Sequence, residues 1–315
     1  MSGTIIPPKS EASPAPTSQS PISNLQLQQW KAAMETGAIA AQPPGLFSGE
    51  FVQETLALTR RLFIQLQRRP STLIAGVIQP LMWLVLFGAL FQNVPQGLFG
   101  ESQNYGQFLG AGIIVFTAFG GALNAGLPVM FDREFGFLNR LLVAPLASRF
   151  SIVIASAIFI AAMSLVQAAA IVATSALLGA GLPDPLGLCL VAVIVLTLVL
   201  GVTALSLGLS FSLPGHIELI AVIFVTNLPL LFASTALVPL SFMPGWLQTV
   251  ASLNPLSYAI EPIRYLYLRS DWSFDSIVMQ APWGSITLGA SLLILFSFSA
   301  ISLTVIQPLL RRRIA

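Results

Sequence analysis

The feature that most restricts the fold of this chain is a series of long stretches without a charged side chain. They lie near residues 71–93, 108–130, 151–179, 186–212, 219–241 and 285–308. About 20 apolar residues in a helix cross the roughly 30 Å hydrocarbon core of a bilayer. Charged residues make up only 8% of the chain, and a soluble domain could not bury so many apolar side chains. The sequence therefore predicts an all-α polytopic membrane protein with six transmembrane helices.

The segments between these stretches differ in their content of basic residues. Twelve of the 14 Lys and Arg residues precede the first stretch, lie between the second and third, or follow the last. These regions share one side of a six-span bundle. Basic residues collect on the cytoplasmic side of membrane proteins, so this side is predicted to be cytoplasmic. Because the number of spans is even, both termini are expected there too.

The chain before the first apolar stretch divides into two parts. Residues 1–46 are rich in Pro, Ser, Gln and Ala without apolar periodicity, which predicts a disordered cytoplasmic tail. In residues 47–70, apolar side chains recur at helical spacing among arginines, which favours an amphipathic helix in the membrane interface. Its arginines can reach phosphates of membrane lipids, a predicted partner. A plain helical lead-in is the alternative. Residues 71–315 form the six-span domain.

The segment between the second and third stretches has a helical pattern of its own. Its apolar residues are spaced four, three and four positions apart, which places them on one helix face. They are Phe131, Phe135, Leu138 and Leu142. A cytoplasmic helix with this face and with charges elsewhere is suited to docking in a groove of another protein. The alternative is a helix on the membrane surface without a partner.

The segment 242–284 is too apolar for an ordinary loop, yet each apolar piece is too short to span a membrane. We predict two short helices, re-entrant or at the outer interface, that are separated at Asn254 and Pro255. Glu261 and Arg264 are three positions apart, so they share a helix face and can pair. These four residues form a candidate outer gate. A seventh span is disfavoured by the charges of this segment.

Several kinds of chemistry are excluded by missing residue types. Both lysines lie in the tail and neither follows a glycine-rich turn, so the chain lacks a phosphate-binding P-loop and does not hydrolyse ATP alone. The single histidine, His216, cannot complete a metal site or a catalytic triad. No catalytic or metal-binding residues are therefore predicted. A net charge of +2 does not favour nucleic acid, and spans without ionisable groups disfavour an ion-coupled carrier.

Three segments of the sequence resemble one known family. REFGFLNRLLVAPLASR at 133–149 is similar to the cytoplasmic-loop signature of ABC-2 type transporter permeases. RRPSTLIAGVIQPLMWLVLFG at 68–88 resembles the entry to their first span, and NPLSYAIEPIR at 254–264 resembles their motif before the last span. The segments occur in the family's order and cover the chain from about residue 47 onward. The greatest similarity is to daunorubicin-resistance-like permeases, especially those of cyanobacteria and plastids.

The resemblance implies a separate ATP-binding cassette (ABC) ATPase subunit, which would hold ATP and Mg, so this chain itself would bind no cofactor. The family works with two permeases and two ATPases, which implies a homodimer of this chain. The loop helix becomes the coupling helix that docks on the ATPase. The expected docking residues are Arg133, Glu134, Phe135, Leu138, Asn139, Arg140 and Leu142.

The expected function is export of an amphipathic, lipid-like or glycan substrate. The expected location is the bacterial inner membrane, or a plastid or thylakoid membrane. One alternative is a membrane scaffold or assembly protein that transports nothing, and another is a passive channel or an ion-coupled carrier. An ATPase partner distinguishes the exporter from these alternatives.

Overall fold

The structure, a computed structural model, describes residues 49–68, 70–91, 93, 105–136, 150–177, 182–269 and 271–314. All of them belong to one compact unit of the chain, residues 45–315. The predicted tail 1–46 lies outside the described residues. So do residues 137–149, which hold most of the predicted coupling helix.

The described part of the chain is mainly helical, as the apolar stretches predicted. The helices are α1 (Gly49–Arg68), α2 (Pro70–Leu90), α3 (Tyr105–Leu123), α4 (Gly126–Glu134), α5 (Phe150–Leu177), α6 (Pro185–Ser212), α7 (His216–Phe232), α8 (Gly245–Leu253), α9 (Ser257–Leu268) and α10 (Leu288–Ile314). A 3₁₀ turn covers Leu240–Phe242, and two strands are β1 (Ile277–Ala281) and β2 (Gly284–Thr287). Helix α1 occupies most of the segment 47–70.

Four helical segments are long and apolar enough to cross a membrane. They are Phe108–Glu134, Ser151–Leu177, Pro185–Ser212 and Leu288–Ile306. Two shorter apolar helices, Ile74–Leu90 and His216–Phe232, occupy the positions of the predicted first and fifth spans. The structure thus has an apolar helix at each of the six predicted positions, and four of these helices have spanning length.

The predicted fifth span, 219–241, is wrong at its C-terminal end. Helix α7 ends at Phe232, and residues 233–238 turn away from it. The amide nitrogen of Asn254 donates to the carbonyls of Leu230 and Ala233, at 2.8 and 2.5 Å. These carbonyls belong to the end of the helix and would otherwise be unsatisfied, so a side chain 21 residues away favours termination here.

The all-α prediction is also corrected, by a small hairpin before the last helix. Strands β1 and β2 pair antiparallel, with Ala281 opposite Gly284. The last helix consequently begins at Leu288 and not at residue 285. The hydroxyl of Thr287 accepts a hydrogen bond from the amide of Ala290 at 3.2 Å, as a residue preceding a helix often does.

Helix α6 lies at the centre of the bundle and packs against α3, α5, α9 and α10. Its contact with α10 is close, because a side chain at Gly201 would meet the Cα atom of Ser299 at 3.0 Å. The Ser299 hydroxyl donates to the carbonyl of Thr197 on α6 at 2.5 Å. Small residues and hydroxyl groups of this kind hold helices together in membranes, where apolar attraction between helices is weak.

Candidate functional site

The predicted docking residues fall partly within the described structure. Arg133 and Glu134 are the last two residues of α4, and Phe135 follows them. The Phe135 side chain is 78% exposed and stacks on Phe131, with ring centres 6.0 Å apart. An apolar aromatic side chain is therefore presented where the predicted docking face begins. The remaining four residues, Leu138, Asn139, Arg140 and Leu142, lie outside the described residues.

The second predicted span is interrupted just before these residues. A turn at Asn124 and Ala125 separates α3 from α4. The Ser206 hydroxyl on α6 donates to the carbonyl of Leu123 and accepts from the amide of Gly126, at 2.5 and 2.9 Å. One side chain thus satisfies a backbone group on each side of the break, which makes the break tolerable away from water.

Arg133 binds the end of helix α6. Its guanidinium donates to the carbonyls of Ser210, Leu213 and Pro214, at 2.8, 2.6 and 2.8 Å. The last carbonyls of a helix have no partner within the helix, and they form its negative end. A guanidinium at this position satisfies several acceptors and complements the helix dipole. Arg133 therefore joins α4 to the turn between α6 and α7.

Glu134 binds the start of helix α7. One carboxylate oxygen accepts from the backbone amide of His216 at 2.6 Å, and the other contacts the imidazole Nδ1 at 2.5 Å. The residue before this helix is Gly215, which has no side chain to cap it. A side chain on Gly215 would approach the Glu134 carboxylate to 3.0 Å. Glu134 therefore caps α7 from another helix, at the end where a negative charge is favourable.

Asp132 contacts a third element, helix α1. Its carboxylate lies 3.5 Å from the Arg61 guanidinium, and both side chains are about one-third exposed. A pair this exposed contributes only a small free energy to stability. It nevertheless places α1 beside the end of α4. We call Asp132, Arg133 and Glu134, with their partners Arg61 and His216, the junction cluster.

A second polar network surrounds the predicted outer gate. Asn254 caps α7 as described above, and its carbonyl oxygen accepts from the amide of Leu256 at 3.0 Å. Pro255 follows it in the turn before α9. The predicted break between two short helices is thus present, with α8 ending at Leu253 and α9 beginning at Ser257.

Arg264 is the centre of this network and is only 6% exposed. Its guanidinium donates to a Glu261 carboxylate oxygen at 2.6 Å, to the Thr235 carbonyl at 2.7 Å and to the Phe108 carbonyl at 3.3 Å. The guanidinium carbon also lies 3.6 Å from the centre of the Phe108 ring, a cation–π contact. The predicted Glu261–Arg264 pair is present and mostly buried. We call Asn254, Glu261 and Arg264 the Arg264 cluster.

The acceptors that hold Arg264 and Arg133 are not predicted by the sequence. Most of these acceptors are backbone carbonyls. Arg264 donates to those of Thr235 and Phe108, and Arg133 donates to carbonyls within residues 210–214. Residue identity does not show which backbone carbonyls accept a hydrogen bond. An arginine next to an apolar stretch nevertheless indicates that acceptors for its guanidinium lie nearby. Among the residues that the structure describes, no group of three His, Cys, Asp or Glu side chains is placed to hold a metal ion.

Apolar spanning helices, a broken second span and two polar networks at the helix ends define a membrane domain of the permease type. The chain belongs to the ABC-2 type transporter family, whose sequence profile matches residues 53–268. The resemblance noted from the three sequence segments is thereby confirmed. The matched part of the chain includes both clusters.

Individual relatives agree with this assignment. The chain is 55% identical to a protein named transport permease ycf38 from Porphyra purpurea, over 86% of this chain and 93% of the relative. It is 53% identical to the protein of the same name from Cyanophora paradoxa, over 83% and 90%. A doxorubicin resistance ABC transporter permease protein, DrrC, from Mycobacterium tuberculosis is 28% identical, over 68% of this chain and 76% of the relative.

Proposed function

We propose that this chain is the transmembrane subunit of an ABC exporter that moves an amphipathic, lipid-like or glycan substrate. A separate ATPase subunit supplies the energy and holds ATP and Mg. Permeases of the ABC-2 family normally work with such a subunit. The observation that carries the proposal is the exposed Phe135 directly after α4, within the segment 133–149 that resembles the family's loop signature. Aromatic side chains that fill a pocket of the partner carry much of the binding free energy at interfaces, and Phe135 is suited to such a role.

The proposed architecture has six spans, which adds α2 and α7 to the four long helices. Helix α2 has 21 residues and no charged side chain, and α7 is mostly apolar after His216 and Glu218 in its first turn. Residues 47–70 form the interfacial helix, residues 71–315 the transmembrane domain and residues 1–46 a cytoplasmic tail. The basic residues favour cytoplasmic termini. The membrane is proposed to be a bacterial inner membrane or a plastid or thylakoid membrane.

An open groove along α2 supports an amphipathic substrate. Its volume is about 630 Å³. Its lining residues are Ala75, Ile78, Gln79, Met82, Trp83, Leu86, Phe87 and Leu90. One amide among apolar and aromatic side chains suits a molecule with a large apolar part and a polar group. A second copy of the chain, facing this groove, would enclose a path between two permeases, as expected for a homodimer. The name of the mycobacterial relative, which refers to doxorubicin resistance, also favours an exported amphipathic compound.

The proposal is tested by purifying the tagged full-length chain from native membranes into lipid nanodiscs. We expect an ATPase with a P-loop to co-purify and to hydrolyse ATP. Peptide mass spectrometry identifies the partner, and lipid mass spectrometry identifies bound candidates for the substrate. Transport is then measured in vesicles as ATP-dependent movement of these candidates. A chain that recovers no ATPase would contradict the exporter and favour the scaffold alternative.

A further inference from the structure

Three consecutive residues at the end of α4 contact three different helices. Asp132 contacts Arg61 on α1, Arg133 binds the last carbonyls of α6, and Glu134 caps the start of α7. Neighbouring side chains on a helix point in different directions, about 100° apart, so one turn can reach three partners. Arg133 and Glu134 are also the first two of the seven residues that are predicted to dock on an ATPase.

Helix α4 is attached to α6 at both of its ends. At its start, the amide of Gly126 donates to the Ser206 hydroxyl, and a side chain on Gly126 would collide with the Ser206 backbone. At its end, Arg133 binds residues 210–214 of the same part of the chain. A helix of nine residues, about 13 Å long, is thus held at two points. Both ends of α4 are therefore attached to the same part of the chain, residues 206–214.

Helix α7 joins the junction cluster to the Arg264 cluster. Its first residue, His216, is held by Glu134. Near its other end, the carbonyl of Leu230 accepts from Asn254, and the carbonyl of Thr235 just beyond it accepts from Arg264. A movement of α4 that displaces the start of α7 is therefore delivered along one helix to the network at its opposite end.

We propose that Asp132, Arg133 and Glu134 are positioning residues that transmit the movement of the docking segment to α1, α6 and α7. This inference rests on the proposed function, since an ATPase must move the docking segment. The junction is electrostatic and directional: a carboxylate meets the positive end of α7, and a guanidinium meets the negative end of α6. Through these contacts, of which the exposed Arg61–Asp132 pair is the weakest, the three elements follow the movement of α4.

The test uses the full-length chain with its co-purified ATPase in nanodiscs, in a Cys189→Ala background. A reporter cysteine replaces Ile217, which is 69% exposed in the first turn of α7. Its alkylation rate by a maleimide is measured without nucleotide and with ATP and vanadate, beside the rate of ATP hydrolysis. We expect the nucleotide to change the alkylation rate in the parent. In Arg133→Gln and Glu134→Ala, the nucleotide-dependent change in alkylation rate should be lost in complexes from which the ATPase is still recovered.

Two variants separate transmission from a general loss of stability. Glu134→Gln keeps an oxygen that can accept from the His216 amide, and it should retain the nucleotide-dependent change. Glu218→Ala removes an exposed carboxylate from the same turn of α7 and is the matched control, which should also retain the change. A residue with a purely structural role would instead lower the recovery of folded complex together with the alkylation response.

The more exposed Arg61–Asp132 pair provides a second, independent set of variants if the Arg133 and Glu134 variants fold poorly. Arg61→Asp and Asp132→Arg should each reduce the response, and the double swap should restore it. The inference is overturned if ATP changes the alkylation rate of the cysteine at position 217 equally in all variants. It is also overturned if the parent hydrolyses ATP while this alkylation rate stays the same. Absence of any ATPase from the purified parent would instead contradict the proposed function, and the inference with it.

Discussion

The Arg264 guanidinium carbon lies 3.6 Å from the centre of the Phe108 ring, although the two residues are 156 positions apart in the chain. Phe108 is at the beginning of the second predicted span, and Arg264 is on the short helix α9. The same guanidinium reaches the carbonyl of Thr235 beyond α7. One buried cation thus holds the start of the second predicted span and the segment after α7 against α9.

Replacing Arg264 with methionine should destabilise the protein more than replacing Glu261 with glutamine. Methionine leaves a buried carboxylate and two carbonyl acceptors without their donor, at a cost of about 3 kcal/mol. Glutamine leaves the guanidinium with its carbonyl and aromatic partners. The measurement is thermal unfolding in nanodiscs, with the double variant completing a mutant cycle. Arg269→Gln, an exposed arginine near α9, is the control and should change the melting temperature little.

Exchanging the two charges should not restore stability. A carboxylate at position 264 would face the carbonyls of Thr235 and Phe108 and the negative face of the Phe108 ring. The pair therefore has a fixed orientation. A coupling energy near zero in the cycle, or full rescue by the exchange, would contradict the network.

Asn254→Asp should loosen the end of α7 while keeping the turn into α9. Aspartate retains an oxygen that accepts from the Leu256 amide but has no N–H to donate to Leu230 and Ala233. The expected loss is about 1–2 kcal/mol, typical of a helix cap. Hydrogen exchange resolved by peptide should increase in residues 228–236 more than in α9. Gln248→Glu is the control, since the side-chain amide of Gln248 donates to the carbonyl of Met243 within its own segment. An equal increase in hydrogen exchange in residues 228–236 and in α9 would contradict the capping of α7 by Asn254.

Much of the helical architecture was predictable because a membrane imposes a simple rule. A helix must cover the hydrocarbon thickness, and charges are excluded from it. This rule located α5 and α6 to within about two residues of their observed bounds. It could not locate the end of α7, because Asn254 terminates that helix from a distant part of the chain. It also missed the hairpin of residues 277–287, whose strands are too short to show a period.

The candidate site was predicted less completely than the fold. Periodicity placed Phe135 on the docking face, and its exposure is consistent with that assignment. Arg133 and Glu134 were assigned to docking from their position in the loop signature, yet their side chains bind α6 and α7 within the chain. The sequence shows that a charged side chain lies outside the apolar face of a helix. It does not show which helix or strand that side chain contacts. The docking role of the seven residues stays a prediction.

Phe135→Asp with Leu138→Asp should release the ATPase while the permease remains in the membrane. Two carboxylates buried in an apolar groove would cost several kcal/mol, about the free energy of docking itself. The measurement is the amount of ATPase recovered with the tagged permease. Arg140→Glu should have a weaker effect if this charge lies at the rim of the interface. Phe274→Asp, at another exposed phenylalanine, is the control. Unchanged recovery in the double variant would contradict docking at this segment.

Cysteine labelling should establish the orientation of the spans. The native Cys189 is exposed and must first be replaced. Cysteines at Ser102 and Asp275 should then react with an impermeant maleimide added outside the cell, because the distribution of basic residues places these loops outside. A cysteine at Asn139 should react only after the membrane is opened. Reaction of Asn139 from outside would contradict six spans with cytoplasmic termini.

Ser206→Ala should destabilise the break between α3 and α4, because it removes both hydrogen bonds that bridge the break. Without the hydroxyl, the carbonyl of Leu123 and the amide of Gly126 lose a buried partner, at a cost of about 1–3 kcal/mol. Thermal unfolding measures this loss. Ser212→Ala is the matched control, because that hydroxyl donates to the carbonyl of Gly208 within its own helix. Since α4 carries the junction cluster, Ser206→Ala should also reduce the ATP-dependent change at Ile217. If Ser206→Ala unfolds at the same temperature as Ser212→Ala, the hydroxyl does not support the break, and α4 is held by its far end alone.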